Sequence, residues 1–221
     1  MNPPLTDVEA RVLGALIEKS VTTPDGYPLS LHAVTTACNQ TSNRHPVVSY
    51  DEATVFKAID RLRHGSLVRG VQRADSRVIK YSHLLVDALN LSSRELAIMD
   101  VLMLRGPQTL GEIHTRTARL AEFDGLTDVE DLLNGLMERS SPLVVRFPRQ
   151  PGQKELRCAH LLSGEVSPES FERSVASAVS ESPRREASDD RIATLEATVG
   201  EVRNEIADLR KQLEDFRRQF E

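Results

Sequence analysis

Thr54, Lys57, Arg61 and His64 recur at intervals of three, four and three residues within the stretch SYDEATVFKAIDRLRHGSLVRG, Ser49 to Gly70. On a helix of 3.6 residues per turn, that spacing gathers all four on one face. Two fixed positive charges and several hydrogen-bond donors in a row can meet phosphate oxygens and base edges, so the chemistry on offer is recognition of duplex DNA. The solvated side of an ordinary helix carries the same kind of stripe, and the surrounding elements have to decide between the two. Catalytic chemistry is not legible. There is no G-x-S-x-G, no phosphate-cradling Gly-rich loop, no H-E-x-x-H or C-x2-C ligand pair and no paired-carboxylate cleft. We therefore expect neither an enzyme nor a bound cofactor or metal. Cys38 and Cys158 are the only cysteines and lie far apart in the chain, so both are expected to be reduced.

The stripe needs a helix to carry it. Ser49 with Glu52 predicts a capping box, Val55, Phe56, Ile59 and Leu62 predict a core-facing side, and His64-Gly65 predicts the stop. Upstream, Leu5 to Lys19 reads as a first helix with Thr6 and Glu9 as its capping box and Val12, Leu13, Leu16 and Ile17 inward. Thr22 to Pro28 is turn chemistry, and Ser30 to Cys38 reads as a second helix with Leu31, Val34 and Ala37 inward. Asn39 to Val47 is polar and contains Pro46, which predicts an irregular connection whose side chains close backbone groups. Downstream, Leu67 to Arg73 and Val78 to His83 predict a hairpin about Ala74-Asp75-Ser76. Three helices and a hairpin are the order of a winged helix. In that arrangement Thr54, Lys57 and Arg61 face base edges, while Arg44, Arg73, Arg77 and Lys80 reach phosphates.

The same order recurs. Leu91, Glu95, Ile98, Met99, Leu102 and Met103 repeat the first helix, Leu110 and Ile113 the second, and Thr127 to Met137 the third, with Thr127 and Glu130 as its box and Val129, Leu133 and Leu136 inward. Leu143 to Pro148 and Lys154 to His160 form the second hairpin, and Ala159-His160-Leu161-Leu162 echoes Ser82-His83-Leu84-Leu85. The outward side of the repeated third helix, Asp128, Asp131, Asn134 and Glu138, repels phosphate, although its hairpin carries Arg146, Arg149, Lys154 and Arg157.

After Gly164 the composition changes. Residues 165–190 read as a Ser/Glu-rich linker with room for one short helix. From 191 to 221, Ile192, Leu195, Val199, Val202, Ile206, Leu209, Leu213, Phe216 and Phe220 alternate by threes and fours, which predicts a coiled coil and self-association as a parallel dimer. The expected fold is mainly α, α+β in class: winged helices over 1–88 and 89–164, the linker, then the coiled-coil helix. The formal charge of −5 is unevenly spread, with eight Lys/Arg against four acids over 44–84 and nine against thirteen from 166 onward. No apolar run approaches bilayer length and no leader pattern opens the chain, so a cytoplasmic protein without a membrane partner is expected.

Several motifs match in letters as well as in pattern. Glu18-Lys19 with Thr22-Thr23-Pro24-Asp25, Tyr27-Pro28-Leu29-Ser30-Leu31, Cys38-Asn39-Gln40 with Ser42-Asn43-Arg44 and Pro46-Val47, Arg105-Gly106-Pro107-Gln108-Thr109 with Glu112, Arg116-Thr117, and Pro148 to Lys154 resemble the YceH-like family of bacterial proteins over roughly residues 5 to 163. His45 departs from the acidic residue expected after Ser-Asn-Arg. The resemblance implies tandem winged helices and supplies no catalytic residues. Two functions remain in view: a regulator-like DNA-binding protein dimerised by its tail, and a non-catalytic docking scaffold for a protein partner on the acidic second domain.

Overall fold

The computed structural model describes residues 4–72, 78–148 and 155–164. The expected linker and coiled coil, and the hairpin cations Arg73, Arg77, Arg149 and Lys154, lie outside them. The first repeat runs α1 (Asp7–Thr22), a 3-10 turn at Pro24–Gly26, β1 (Leu29–Ser30), α2 (Leu31–Cys38), α3 (Glu52–His64), β2 (Val68–Val71) and β3 (Lys80–His83). A short α4 (Leu85–Leu89) leads into the second: α5 (Ser93–Arg105), β4 (Gln108–Thr109), α6 (Leu110–Thr117), α7 (Leu126–Met137), β5 (Val144–Phe147) and β6 (Arg157–His160). Each repeat closes with a three-stranded antiparallel sheet, ordered β1-β3-β2 and β4-β6-β5. The registers correspond, with Val68 opposite His83 and Val144 opposite His160. The class is α+β, weighted to helix.

Local chemistry explains where most helices start. Thr6 with Glu9, Ser92 with Glu95 and Thr109 with Glu112 each form a complete capping box. Two caps differ from expectation. On α3 the cap is Asp51, whose carboxylate accepts from the Thr54 amide at 2.7 Å, because Glu52 turns to His32 at 2.9 Å and leaves the Ser49 box without its acid. On α7 the chain enters through Gly125 at φ 155°, and no side chain caps the helix; Glu130 instead meets Arg146. Phe56 also departs from the expected core. It is 46% exposed because the buried stripe of α3 is Val55, Ala58, Ile59 and Leu62, and Phe56 lies on its flank.

The first helices of the two repeats are buried on more than one side. On α1 every residue from Glu9 to Glu18 is buried, and on α5 every residue from Leu96 to Leu104. A one-sided stripe was expected for each. Both are enclosed because α1 and α5 pack on one another as well as on their own repeats, so the repeats share one hydrophobic cluster. Cross-repeat backbone bonds run from the Leu5 amide to the Leu162 carbonyl (2.8 Å) and from the His45 amide to the Leu104 carbonyl (2.9 Å). Gly14 permits the close approach: a Cβ there would stand 2.8 Å from Leu104 Cδ2 and 2.9 Å from its Cγ. Gly14→Val should therefore overpack the seam and lower the unfolding free energy by about 1–3 kcal/mol. Equilibrium urea unfolding measures it, and an unchanged midpoint would refute this contact. Cys38 and Cys158 are both free and buried. No helix among the described residues is long and apolar enough to cross a membrane.

Candidate nucleic-acid interface

The outer side of α3 follows from its inner side. With Val55, Ala58, Ile59 and Leu62 buried, Lys57, Asp60 and His64 point away from the core, with Thr54 and Arg61 on one flank and Phe56 and Arg63 on the other. Lys57 is exposed. The Arg61 side chain is 70% exposed and only 3.7 Å from Glu9 Oε1, a loose pair that screening weakens. Thr54 is half-buried. Asp60 is shared by Arg63 at 3.8 Å and His64 at 3.7 Å, and the His64 Nδ1–H donates to the Asp60 carbonyl at 2.7 Å.

The hairpin stands beside the Arg63 flank. A Cβ on Gly70 would lie 3.8 Å from Arg63 Nε, which places β2 against this side of the helix. Arg69 is exposed and donates through Nε to Ser82 Oγ at 3.0 Å, and Lys80 is half-buried opposite Val71. Lys57, Arg61, Arg63, Arg69 and Lys80 thus belong to one helix and its adjoining hairpin. Arg63 and Arg69 were not among the expected contacts, although the basic excess of 44–84 already contained them. Asp51 and Glu52 at the helix start are engaged, the first by its cap and the second by His32. The two hydrogen bonds from Thr54, side chain and backbone, hold the Asp51 carboxyl below its ordinary range.

Arg44 does not belong to this face. Its side chain is buried against Glu18, with Nη2 donating to Oε2 at 2.5 Å and Nη1 to Oε1 at 3.0 Å. Its remaining donors meet the Ala37 carbonyl at 2.9 and 3.1 Å, the Asn43 carbonyl at 3.0 Å and Gln40 Oε1 at 3.0 Å. A guanidinium so satisfied has no donor for a phosphate, and the expectation that Arg44 contacts DNA is corrected accordingly. Burial alone would raise the Glu18 carboxyl, but the hydrogen bond and charge of Arg44 and the charge of Arg119 outweigh it and hold the group below its ordinary range. The rest of the loop acts as expected. Asn39 and Tyr50 exchange two bonds of 2.8 Å, Asn39 Nδ2 to the Tyr50 carbonyl and the Tyr50 amide to Asn39 Oδ1, and Arg11 donates to the Pro46 carbonyl at 2.7 Å.

The second repeat differs at the equivalent places. Asp128 on α7 takes two bonds from Arg94, at 2.8 and 3.0 Å, while Asp131 and Glu138 remain outward. Arg146 on its hairpin reaches Glu130 and Asn134 at 3.4 and 3.3 Å, and Arg157 reaches Glu112 and the Pro107 carbonyl at 2.8 and 3.0 Å. The basic side chains described there are held by protein acceptors. Among the described residues no cluster of His, Cys, Asp and Glu could hold a metal ion.

Comparison with known proteins adds family to this geometry. Residues 5–153 match a family model described as "Protein of unknown function, DUF480". A "UPF0502 protein" of Pelobacter propionicus is 50% identical over 220 residues, covering 98% of both chains. One from Geobacter sulfurreducens is 50% identical over 198 residues, 88% of both, and one from Aliivibrio fischeri is 43% identical over 209 residues, 92% of this chain and 94% of the relative.

Proposed function

As the chain belongs to the DUF480 family, in keeping with its YceH-like motifs, we propose that it is a DNA-binding protein of regulatory type built from two winged helices. In this reading α3 enters the major groove, with Thr54, Lys57 and Arg61 toward base edges, and the β2–β3 hairpin acts as a wing that brings Lys80 and Arg69, with Arg73 and Arg77, to the backbone. Residues 191–221 supply a coiled coil that pairs two such chains and raises their local concentration on DNA.

The observation that carries the reading is the contrast between the two third helices. Around α3, Lys57, Arg61 and Arg69 are exposed, Arg61 is only loosely paired and Arg69 meets a neutral hydroxyl, whereas α7 presents acids and the described basic side chains near it are bound to protein acceptors. The test is anisotropy of a random-sequence duplex across a salt series. Lys57→Ala with Arg61→Ala should cost about 1–3 kcal/mol and reduce the slope of log affinity against log salt by about one for each phosphate that is no longer neutralised. Asp131→Ala, on the outer side of α7, should change neither. Equal slopes in wild type and the double variant would sink the assignment of α3.

A docking scaffold is the competing reading. It draws on Phe56 and Leu126, large apolar side chains 46% and 50% exposed on the third helices of the two repeats. A wild-type chain with no salt-dependent affinity for duplex DNA would favour it.

A further inference from the structure

The motifs that the DNA-binding reading leaves unused meet where the two repeats join. Arg119, just beyond α6, donates to Glu18 Oε1, so Glu18 holds two guanidinium groups, those of Arg44 and Arg119. Arg105, at the end of α5, donates to Asn43 Oδ1, and Asn43 in turn accepts from Arg44 through its carbonyl. Two residues further on, the Pro107 carbonyl accepts from Arg157. Arg157 shares Glu112 with Arg116, at 2.8 and 3.6 Å. Arg119, Arg44 and Arg105 are thus joined through Glu18 and Asn43, Arg157 and Arg116 through Glu112, and the backbone from Arg105 to Pro107 brings the two groups together.

Their acids do not balance them. Among the described residues the five guanidinium groups pair with two carboxylates, Glu18 and Glu112, so three more arginines than acids meet there. Among the described residues Arg105 bonds no carboxylate side chain, only the neutral Asn43 amide, and Glu18 acts on it through its charge without a bond. Burial pushes its guanidinium down to about 10, and the charges of Arg116, Arg119 and Arg44 push the same way. Asp100, fully buried on α5, does not supply the missing charge: neither oxygen has a hydrogen-bond partner, and burial together with Glu18 holds its carboxyl well above the ordinary range. The Arg116 side chain is 31% exposed and that of Arg119 42%, so the uncompensated charge opens to solvent.

We propose that Arg105, Arg116 and Arg119 form a binding site for a small phosphate-bearing anion at the junction of the two repeats. Guanidinium forks match the oxygens of a phosphoryl group two at a time, and three surplus charges suit a pyrophosphate-like anion better than a monocarboxylate. The site is independent of the α3 surface. Because Arg119 and Arg105 also hold Glu18 and Asn43 of the first repeat, an anion bound there touches two side-chain links between the repeats.

Isothermal titration of the full chain with inorganic pyrophosphate at low ionic strength should give saturable heat at one site per chain, absent with sodium chloride at matched ionic strength. Arg116→Gln with Arg119→Gln should weaken binding about tenfold or more, the loss expected of one or more charge-assisted hydrogen bonds. Arg116→Gln alone removes only the 3.6 Å pair with Glu112, preserves the fold and still weakens binding. Lys57→Ala with Arg61→Ala should leave the pyrophosphate heat unchanged, which separates this site from the DNA surface. No saturable heat, or heat that survives in both arginine variants, overturns the proposal. So does a double variant whose affinity for duplex DNA falls while wild type gives no pyrophosphate heat, because the cluster would then serve a nucleic-acid backbone.

Discussion

Arg44→Ala is expected to lower the unfolding free energy by about 3–5 kcal/mol, the range for removing one partner of a buried ion pair. The two side chains are 0% and 1% exposed, so solvent offers almost no screening to discount. The loss has two parts. Among the described residues Glu18 keeps Arg119 as its one ion-pair partner, whose side chain is 42% exposed and which cannot replace a bidentate partner. The Ala37 carbonyl also loses both donors that close the end of α2. Against a total stability of about 5–15 kcal/mol this leaves a marginal protein. Urea unfolding should show the midpoint falling with the slope unchanged. Glu18→Gln combined with Arg44→Met should recover part of the loss, since the uncompensated charge disappears while the orphaned carbonyl remains. Below its melting range, folded Arg44→Ala should bind duplex DNA with the wild-type salt slope. A loss of less than about 1 kcal/mol, or a slope reduced by about one, would return Arg44 to the surface role first expected of it.

What could be read from the letters was what is decided locally. Thr6 and Glu9, Ser30, and the spacing of Val12, Leu13, Leu16 and Ile17 specify their helices within a few residues, and the structure places those helices within a turn of the expected limits. Features that depend on distant partners were not visible. β1 and β4 are two residues each and exist only by pairing with β3 and β6, which lie roughly fifty residues downstream in each repeat. Competing caps two residues apart, Ser49 and Asp51, could be separated only by knowing that His32 draws Glu52 away. Arg44 sits in a polar loop and reads as exposed, but its partner Glu18 is twenty-six residues upstream. One signal did exist. Glu18 follows Leu16-Ile17, and Asp100 interrupts the apolar run from Leu96 to Leu104; a carboxylate inside such a run is either paired or neutral.

Asp100 is the neutral case, and it makes stability depend on pH in a direction opposite to most carboxylates. Burial first, and Glu18 of α1 next, raise its carboxyl well above the ordinary range; Arg44 of the loop, Arg119 beyond α6 and Arg105 of α5 oppose this without reversing it. In the unfolded chain the group ionises near pH 4, while in the folded chain it ionises at a higher pH. Between those two values the folded state binds one proton more than the unfolded state, so stability is full below the unfolded value and falls by about 1.4 kcal/mol per pH unit as pH rises. Glu18, held below its ordinary range, works the other way and withdraws stability only as pH falls through the acid region. Asp100→Asn keeps the shape of the side chain and removes the titration. The unfolding free energy of the variant minus that of wild type should therefore grow by about 1.4 kcal/mol per unit from pH 5 upward, and level off once Asp100 ionises in the folded state. A constant offset between Asn and a protonated Asp does not affect that slope. Urea unfolding of both proteins at pH 5, 6, 7 and 8 measures it directly. A difference that stays flat over this range would mean that Asp100 ionises normally inside the fold, as it would if a water or cation met its two unpartnered oxygens.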